Sequence, residues 1–383
     1  MSRNIATGID IGTYSINIAV LELSKNGSCP KVLALVSSPS NGLRKGNIND
    51  LKSASKSVSL AIKDAERASK IPIKRAYLGI GGTTLNSIFS KGLIAVSRAD
   101  GEITDYDVKR VIHQSEVNIP KISNRSIIHT IPLQFSIDKD ISIKDPVGMK
   151  GNKLEVDTIF IVCLTQHLNN LIKSVESNGV KVEDIIASPL ANARAILGRR
   201  QKEVGSLILD LGAETTSVIV FEEDIPISVA VFPIGSDHIT NDIALCLQIS
   251  LDDAEELKRS YGIESATTRK ISHIVEARLN DVLDLVGGHL KKINKNEMLP
   301  AGAVLAGEGS MISNLADFIK SDLKIPAEAG TCGFLKEEIN GKWSCAVGLA
   351  LLGLDENPQI NLGFAMANRT KNFVVKWLKN FLP

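Results

Sequence analysis

Two segments of the chain share one pattern, and this repetition is the strongest constraint that the sequence places on the fold. Ile5–Leu23 and Ser206–Phe221 each contain an apolar run that ends in aspartate, a glycine turn with hydroxyl residues, and a second run rich in β-branched residues. Such a pattern is typical of a strand–turn–strand hairpin. One Asp-Gly hairpin would be weak evidence, but a copy in each half predicts a duplicated α/β fold with a ligand held between the copies.

Between these two hairpins, the periodicity of the apolar residues predicts a small inserted unit. Alternating runs at Ser87–Arg98 and Ser126–Ile137 are typical of strands. A helical pattern with acids in its first turn begins between them at Thr104. A buried strand at Leu154–Cys163 then returns the chain to the first half. We therefore expect a sheet-plus-helix subdomain over 84–158.

The second half of the chain predicts helices and one further strand. An acid-rich helical stretch covers Ile239–Tyr261, and another helix covers Ile271–Ile293. A strand at Ala301–Gly309 leads through glycines into a helix at Ile312–Leu323. The apolar helix at Trp343–Leu354 is too short to span a membrane, so we expect it to pack in the core.

Both hairpin turns have the chemistry of a phosphate-binding site. Their glycines allow backbone N–H groups to approach phosphate oxygens, and their hydroxyl residues add donors. Asp10 and Asp210, at the ends of the preceding strands, would hold Mg²⁺ through its water shell, because magnesium dehydrates reluctantly. Each turn alone is equally typical of an ordinary hairpin with a capping aspartate, and only their pairing favours phosphate. The candidate nucleotide contacts in the two turns are Gly12, Thr13, Tyr14, Ser15, Gly212, Ala213, Glu214, Thr215 and Thr216.

Two further segments complete the predicted nucleotide site. The glycine turn at 307–310 suits the adenosine side of a nucleotide, as the third such turn of a duplicated fold. Within 239–261, one carboxylate and two cations share a helix face, where the carboxylate can bind ribose hydroxyls. The alternative for that face is a solvated surface with an ion pair. The candidate contacts in these segments are Glu255, Lys258, Arg259, Gly307, Gly309 and Ser310, and Gly235, just before the acid-rich stretch, is a further candidate.

These motifs resemble the nucleotide-binding motifs of the actin, Hsp70 and sugar-kinase superfamily. Within it, Ser90–Ile112, Ile143–Asp157 and Gly235–Gly262 resemble the FtsA family of bacterial cell-division proteins. The resemblance implies an α/β, actin-like duplicated ribonuclease-H-type fold with two lobes, an inserted α+β subdomain and a C-terminal amphipathic helix. It also implies polymerisation on the membrane and binding to the C-terminal peptide of the tubulin-like protein FtsZ.

The resemblance also implies subdomain boundaries, and the composition suits globular domains, with 44% apolar and 23% charged residues. The expected units are 1–83 with 159–202 (subdomain 1A), 84–158 (1C), 203–233 with 300–354 (2A), 234–299 (2B), a linker at 355–370 and a membrane-targeting helix at 371–383.

Three positions depart from the superfamily pattern. The second phosphate turn reads Gly-Ala-Glu-Thr from Gly212, where a glycine-rich GGGT is frequent, and the adenosine turn reads AGEG where a TGG-type sequence is usual. Ser188 precedes Pro189 at the position where active ATPases of the superfamily commonly have an acid or amide that orients the attacking water. A hydroxyl is a poor base near neutral pH. We therefore expect a binding switch with weak or absent ATPase activity.

The last twelve residues predict a short basic amphipathic helix. Its composition is aromatic-rich and basic, and no acidic residue follows Asn368. These features favour a helix that lies in the lipid interface with its lysines near anionic headgroups. A terminal helix that docks on the core is the alternative. The residues expected on the apolar face are Phe373, Val374, Trp377, Leu378 and Phe381, and Lys376 and Lys379 lie opposite them.

The paired turns predict a site for ATP and Mg²⁺. The resemblance implies a cell-division protein that polymerises, tethers FtsZ filaments to the cytoplasmic face of the membrane at the septum and recruits other division proteins. The alternatives are a pilus-assembly-type actin-like ATPase and, less favoured, a sugar or acyl kinase. Five scattered cysteines favour a reducing cytoplasm, and no basic stripe indicates nucleic acid. The candidate FtsZ contacts in 234–299 are Arg259, Arg278 and Lys291.

Overall fold

The protein is described by a computed structural model that covers residues 4–23, 29–120, 123–139, 141–261, 269–335 and 340–355. The predicted amphipathic helix at 371–383 lies outside these residues, as does all but the first residue of the predicted linker.

The described residues form a mixed α/β structure. The strands are β1 (Ile5–Ile11), β2 (Ser15–Glu22), β3 (Lys31–Pro39), β4 (Leu43–Arg44), β5 (Asn47–Ile48), β6 (Arg75–Ile80), β7 (Asn86–Ala95), β8 (Arg125–Ile137), β9 (Ile141–Ile143), β10 (Lys153–Leu164), β11 (Lys181–Ala187), β12 (Ser206–Leu211), β13 (Thr216–Glu222), β14 (Ile225–Phe232), β15 (Ala303–Ala306) and β16 (Ala327–Ala329). The helices are α1 (Leu51–Ser69), α2 (Asp105–Val117), α3 (Thr165–Glu176), α4 (Ser188–Ile196), α5 (Arg199–Val204), α6 (Ser236–Leu247), α7 (Leu251–Ser260), α8 (Arg269–Lys292), α9 (Leu315–Leu323) and α10 (Asn340–Asp355), with a 3₁₀ turn at Glu308–Met311.

The first sheet contains the first predicted hairpin. Its strand order is β11-β6-β1-β2-β3, and β1 is antiparallel to β2 and parallel to β6. Residues of β1 and β2 alternate between two cores: Ile9 and Ile18 face α1, whereas Ala6 and Ala19 face α10. Because a helix covers each face, both strands are buried on both sides, which explains their near-continuous apolar runs.

The second sheet repeats the arrangement of the first. Its order is β14-β13-β12-β15-β16, and β12 is antiparallel to β13 and parallel to β15, as β1 is to β2 and β6. This confirms the second hairpin and the predicted duplication. A separate core lies beneath this sheet, where apolar residues of β12 and β13 meet those of α6, α8 and α9.

A third sheet, β7-β10-β8-β9, forms the inserted α+β unit together with α2. The predicted helix start is confirmed: the Thr104 hydroxyl accepts the N–H of Asp107, and the Asp107 carboxylate accepts the N–H of Thr104 at 3.1 Å. This reciprocal cap satisfies two free donors of the helix terminus. The sheet also touches the second half, because the Ser87 hydroxyl donates to the carbonyl of Val229 at 3.0 Å.

The helix α10 packs in the core, as its apolar sequence predicted. Glycine permits two close backbone approaches here. A Cβ on Gly8 of β1 would lie 2.7 Å from the backbone nitrogen of Ala350, and a Cβ on Gly348 would lie 2.5 Å from the carbonyl carbon of Ala191 in α4. In the part of the chain that the structure describes, we find no helix with the length and apolarity needed to cross a bilayer.

The single helical stretch predicted over Ile239–Tyr261 is wrong, because the structure has two helices there. Gln248 adopts a left-handed φ of 54° and ends α6, and Ser250 then caps α7 by accepting the N–H of Asp253 at 3.1 Å. A capping serine and a left-handed residue favour a break that periodicity alone does not reveal. The helix predicted at Ile312–Leu323 likewise begins later, at Leu315, after the 3₁₀ turn.

Two helix-interior glycines provide a matched test of this packing. Gly348→Ala should lower the free energy of unfolding by about 1–3 kcal/mol, because the new Cβ overlaps the backbone of α4. Gly288→Ala in α8 meets no atom within 4 Å and should raise it by about 0.5–1 kcal/mol through helix propensity alone. Urea unfolding of both variants measures the difference, and equal effects would contradict the close approach.

Candidate functional site

A cavity of about 650 Å³ lies between the two hairpin turns. The β1–β2 turn reaches it from the first half, and the β12–β13 turn, the turn after β15 and the helix α7 reach it from the second. Most of the predicted nucleotide contacts are thereby brought together. Those that line the cavity are Asp10, Gly12, Thr13, Tyr14, Ser15, Asp210, Gly212, Ala213, Thr215, Glu255, Lys258, Arg259, Gly307 and Gly309.

Two of the predicted contacts, Thr216 and Gly235, lie behind the second turn instead of on the cavity surface. Thr216 is fully buried, and its hydroxyl donates to the carbonyl of Ile234 at 2.8 Å. A Cβ on Gly235 would lie 2.5 Å from the carbonyl oxygens of Gly212 and Ala213. These two residues therefore pack against the side of the second turn that faces away from the cavity.

Two more of the predicted contacts also lie outside the cavity lining. The carboxylate of Glu214 accepts a hydrogen bond from the backbone N–H of Lys45, which belongs to the first half. The hydroxyl of Ser310 donates to the carbonyl of Gly307 at 2.6 Å and closes the third glycine turn.

The two hairpin turns have the same backbone geometry. The Gly12 N–H donates to the carbonyl of Ser15 at 3.0 Å, and the Gly212 N–H donates to that of Thr215 at 2.9 Å. The third turn needs glycine for a different reason: Gly307 has a φ of +80°, and a Cβ there would lie 2.6 Å from the carbonyl of Leu211. At its glycine, each turn thus presents bare backbone at the cavity wall, beside the side chains of its other residues.

Asp10 and Asp210 reach the cavity at the base of the two turns. Burial, and next the nearby charge of Asp210, raise the pKa of Asp10 to about 7. Burial also raises the pKa of Asp210, against a hydrogen bond from the Asn192 amide at 2.9 Å. Two poorly solvated carboxylates at one cavity favour a proton or a cation between them. This donor set therefore fits a hydrated Mg²⁺ ion, for which oxygen ligands are preferred.

Ser188 lines the same cavity at the start of α4, where Pro189 occupies the first turn. The preceding residue is anchored by the insertion: the N–H of Ala187 donates to Nε2 of His129 at 3.0 Å. Burial lowers the pKa of His129 to about 3, so the imidazole is a neutral acceptor at ordinary pH. The position of Ser188 is thus fixed, but its hydroxyl offers no strong base.

The acid-and-cation face of α7 lines the cavity as one connected group. Glu255 pairs with the ammonium of Lys258 at 2.6 Å and with Nε of Arg259 at 3.0 Å, and it accepts the Thr240 hydroxyl at 2.7 Å. Lys258 is only 8% exposed, whereas Arg259 is 64% exposed. The alternative of a wholly solvated face does not fit this burial.

Several lining residues escaped the sequence prediction, among them Asn17, Asn192 and Lys342. Asn17 lies opposite Asp10 in the hairpin register, and its buried carbonyl oxygen has no hydrogen-bond partner among the described residues. A polar residue inside an apolar strand was the available signal. Asn192 lies one turn after Ser188 on α4, whereas Lys342 reaches the site only through the packing of α10.

The three predicted partner residues do not form one group. Arg259 lies at the cavity, and Arg278 of α8 pairs with Asp242 at 2.7 Å and with Asp281 at 2.9 Å. Lys291 is exposed in the last turn of α8, about 140° around the helix from Arg278 at 100° per residue.

Comparisons with known proteins place the sequence among division proteins. The family model for the cell division protein FtsA matches residues 207–348, and that for the SHS2 domain inserted in FtsA matches 82–162. FtsA of Pseudomonas aeruginosa is 29% identical, with 93% of this chain and 90% of that protein covered. FtsA of Bacillus subtilis is 30% identical, with 80% and 74% covered.

Solved structures show the same fold at low identity. A protein of the PilM–PilN type IV pilus biogenesis complex has a TM-score of 0.67 at 19% identity, and the match covers 91% of this chain and 98% of that one. MreB5 of Spiroplasma citri bound to ADP has a TM-score of 0.55 at 11% identity, with 94% and 99% covered. The fold is therefore the expected two-lobed actin-like one with an inserted subdomain.

The raised pKa of Asp10 predicts a specific dependence of stability on pH. The folded protein holds this proton more tightly than the unfolded chain, so the contribution of Asp10 to the free energy of unfolding should fall as pH rises from about 4 to about 7. The buried His129, whose pKa is lowered to about 3, contributes in the opposite direction, so the effect of Asp10 is measured as the difference between two proteins. Asp10→Asn should remove the falling contribution. Chemical unfolding in magnesium-free buffer at several pH values measures both proteins, and identical pH profiles would contradict the electrostatic description.

Proposed function

Because the chain belongs to the FtsA family of cell division proteins, we propose that it binds ATP, polymerises on the inner face of the membrane, tethers FtsZ filaments there and recruits later division proteins. Family membership supports the role in division. The nucleotide assignment is supported by one observation in particular: two like glycine turns, each with an aspartate at its base, face a single cavity.

The proposed nucleotide lies between the halves, with its phosphates at the two hairpin turns. The hydroxyls of Thr13 and Ser15 face this region together with the turn backbones, and Asp10 and Asp210 would hold Mg²⁺ through water. The ion, when bound, neutralises phosphate charge that these carboxylates would otherwise repel. The Gly307 turn would receive the adenosine side. The cavity volume of about 650 Å³ is typical of pockets that bind small molecules.

The same residues favour nucleotide binding over rapid hydrolysis. Ser188 is held by the contact between Ala187 and His129, but it contributes a hydroxyl where a carboxylate or amide would orient water better. We propose that the nucleotide state acts mainly as a conformational signal, with turnover a slow step that resets it.

The proposed partner site lies in 234–299, and the proposed membrane anchor lies at 371–383. Within the first, Lys291 is exposed for an acidic FtsZ peptide, whereas Arg278 would have to exchange its two aspartate partners. The anchor has an aromatic apolar face and a lysine face and lies outside the described residues. One short helix binds lipid weakly, so a polymer that displays many copies gains avidity.

The pilus-type alternative draws support from the fold alone, because the pilus relative is 19% identical. The kinase alternative would need a base beside a substrate hydroxyl. Neither alternative accounts for the basic amphipathic segment.

The metal assignment predicts a magnesium-dependent loss on mutation. Asp210→Asn removes one of the two carboxylates but keeps its size, so ATP affinity in the presence of Mg²⁺ should fall by about tenfold or more. In EDTA the affinity should not fall and should rise slightly, because one carboxylate that repels the phosphates is gone. Isothermal titration calorimetry measures both conditions. Asp64→Asn, which alters an exposed pair with Arg67 on α1, is the matched control. A variant that keeps the full magnesium effect would rule out this role for Asp210.

The tethering role predicts that FtsZ reaches vesicles only through the C-terminal helix. Each apolar side chain that is fully buried in the lipid interface contributes about 1.5–3 kcal/mol to the free energy of membrane binding. Trp377→Glu replaces one of these side chains by a charge, so it should release the protein from anionic vesicles. Co-sedimentation with ATP present should then show FtsZ left in the supernatant, while FtsZ still binds the variant in solution.

Asn380→Glu is the control for that experiment, because it adds the same charge to the polar face of the helix. It should retain most vesicle binding at physiological salt. If the helix docks on the core instead, Trp377→Glu should lower the melting temperature, and the wild-type protein should not sediment with vesicles.

A further inference from the structure

Glu308 joins the two halves of the protein across the cavity. It lies in the third glycine turn, between two glycines, and its side chain is 34% exposed. Its carboxylate accepts a hydrogen bond from the hydroxyl of Ser15 at 3.2 Å and pairs with the ammonium of Lys342 at 2.9 Å. Ser15 belongs to the first hairpin turn, so this contact crosses the cleft. It takes up two donors that line the cavity, one of them in the first hairpin turn.

The charges of the cavity wall give this contact its significance. Among the described residues that line the cavity, Lys258, Arg259 and Lys342 are the cations. The first two are held by Glu255, and the ammonium of Lys258 is buried. The third is held by Glu308, and both members of that pair are partly exposed. Partly exposed ion pairs are weak, so solvent exposure alone would not distinguish Glu308 from the partner of Arg259. Of the two paired acids, however, Glu308 is the one that also accepts a hydrogen bond from Ser15 in the first hairpin turn, so a phosphate at that turn would meet and displace Glu308.

We propose that Glu308 is a built-in competitor for the phosphates of a nucleoside di- or triphosphate, a role that rests on the proposed nucleotide-binding function. In the structure its carboxylate accepts the hydroxyl of Ser15 and pairs with the ammonium of Lys342. A polyphosphate offers the same two donors an anion with more charge and more oxygens, and it displaces the carboxylate. Glu308 therefore sets the nucleotide affinity and distinguishes ligands by their phosphate charge.

A second acid crosses the cleft nearby and supports this description. The Glu214 carboxylate accepts the backbone N–H of Lys45, and the adjacent N–H of Gly46 donates to the Thr13 hydroxyl at 2.9 Å. Acidic side chains of the second half thus hold donors of the first half on two sides of the first turn. Of the two acids, Glu308 is the one that lines the cavity, so a ligand there meets Glu308 directly.

Two variants at Glu308 separate its contact from its charge. Glu308→Gln removes the charge and keeps the size, whereas Glu308→Asp keeps the charge but withdraws it by one methylene from Ser15 and Lys342. Glu297→Gln is the matched control, because Glu297 forms an exposed pair with Lys324 at 3.5 Å outside the cavity lining. Calorimetric titrations with adenosine, ADP and ATP, each with Mg²⁺, measure the affinities of the full chain.

We expect Glu308→Gln to bind ADP and ATP about three- to tenfold more tightly, with the larger gain for ATP and less than about twofold for adenosine. Glu308→Asp should fall between this variant and the wild type, and Glu297→Gln should match the wild type. Equal gains for adenosine and ATP, or an aspartate variant identical to the wild type, would overturn competition by contact. So would a control variant that tightens as much as Glu308→Gln.

The design also separates this inference from the function on which it rests. If the wild type binds ATP and Glu308→Gln binds it no more tightly, competition by Glu308 is wrong and the nucleotide site stands. If neither protein binds ADP or ATP, the nucleotide assignment is wrong, and the role of Glu308 falls with it.

Discussion

The close approach of α10 to its neighbours is the constraint on which the rest of the structure depends. At Gly8 and Gly348 the backbone of one element passes so near another that a side chain would force them apart. Because α10 packs on β1, β2 and α4 of the first half and also contacts β15 of the second, it fixes the two sheets relative to each other. The helix thereby helps to hold the hairpin turns at one cavity, although its small residues contribute little chemistry of their own.

The cavity that results contains two carboxylates whose negative charge no nearby cation balances among the described residues that contact them. Asp10 and Asp210 are brought together from the two halves where neither is well solvated, so at least one of them retains its proton more readily than an exposed aspartate does. A divalent cation relieves the same repulsion that the proton relieves. Duplication of one hairpin thus creates, without any dedicated cage of ligands, a position where charge neutralisation and phosphate binding favour each other.

The sequence predicted the parts of the fold that local patterns determine. Both hairpins followed from alternation and from glycine turns that come two residues after an aspartate, and the start of α2 followed from its cap at Thr104. It failed where tertiary packing decides. Lys342 reaches the cavity only because α10 crosses both sheets, and Thr216 is buried because the chain after β14 covers it. The break after α6 depends on the left-handed residue Gln248, whose conformation no periodicity records.

The inserted unit is mechanically part of the cleft, although it lies outside the duplicated fold. Its strand β8 supplies His129, which accepts the N–H of Ala187 beside the cavity, and its strand β7 supplies Ser87, which contacts Val229 in the second sheet. The unit therefore touches both halves. A change in cleft opening must either carry the insertion with one half or break a contact with the other. Because burial lowers the pKa of His129 to about 3, its imidazole remains a neutral acceptor near neutral pH, and this link between the insertion and the cleft keeps its hydrogen bond there.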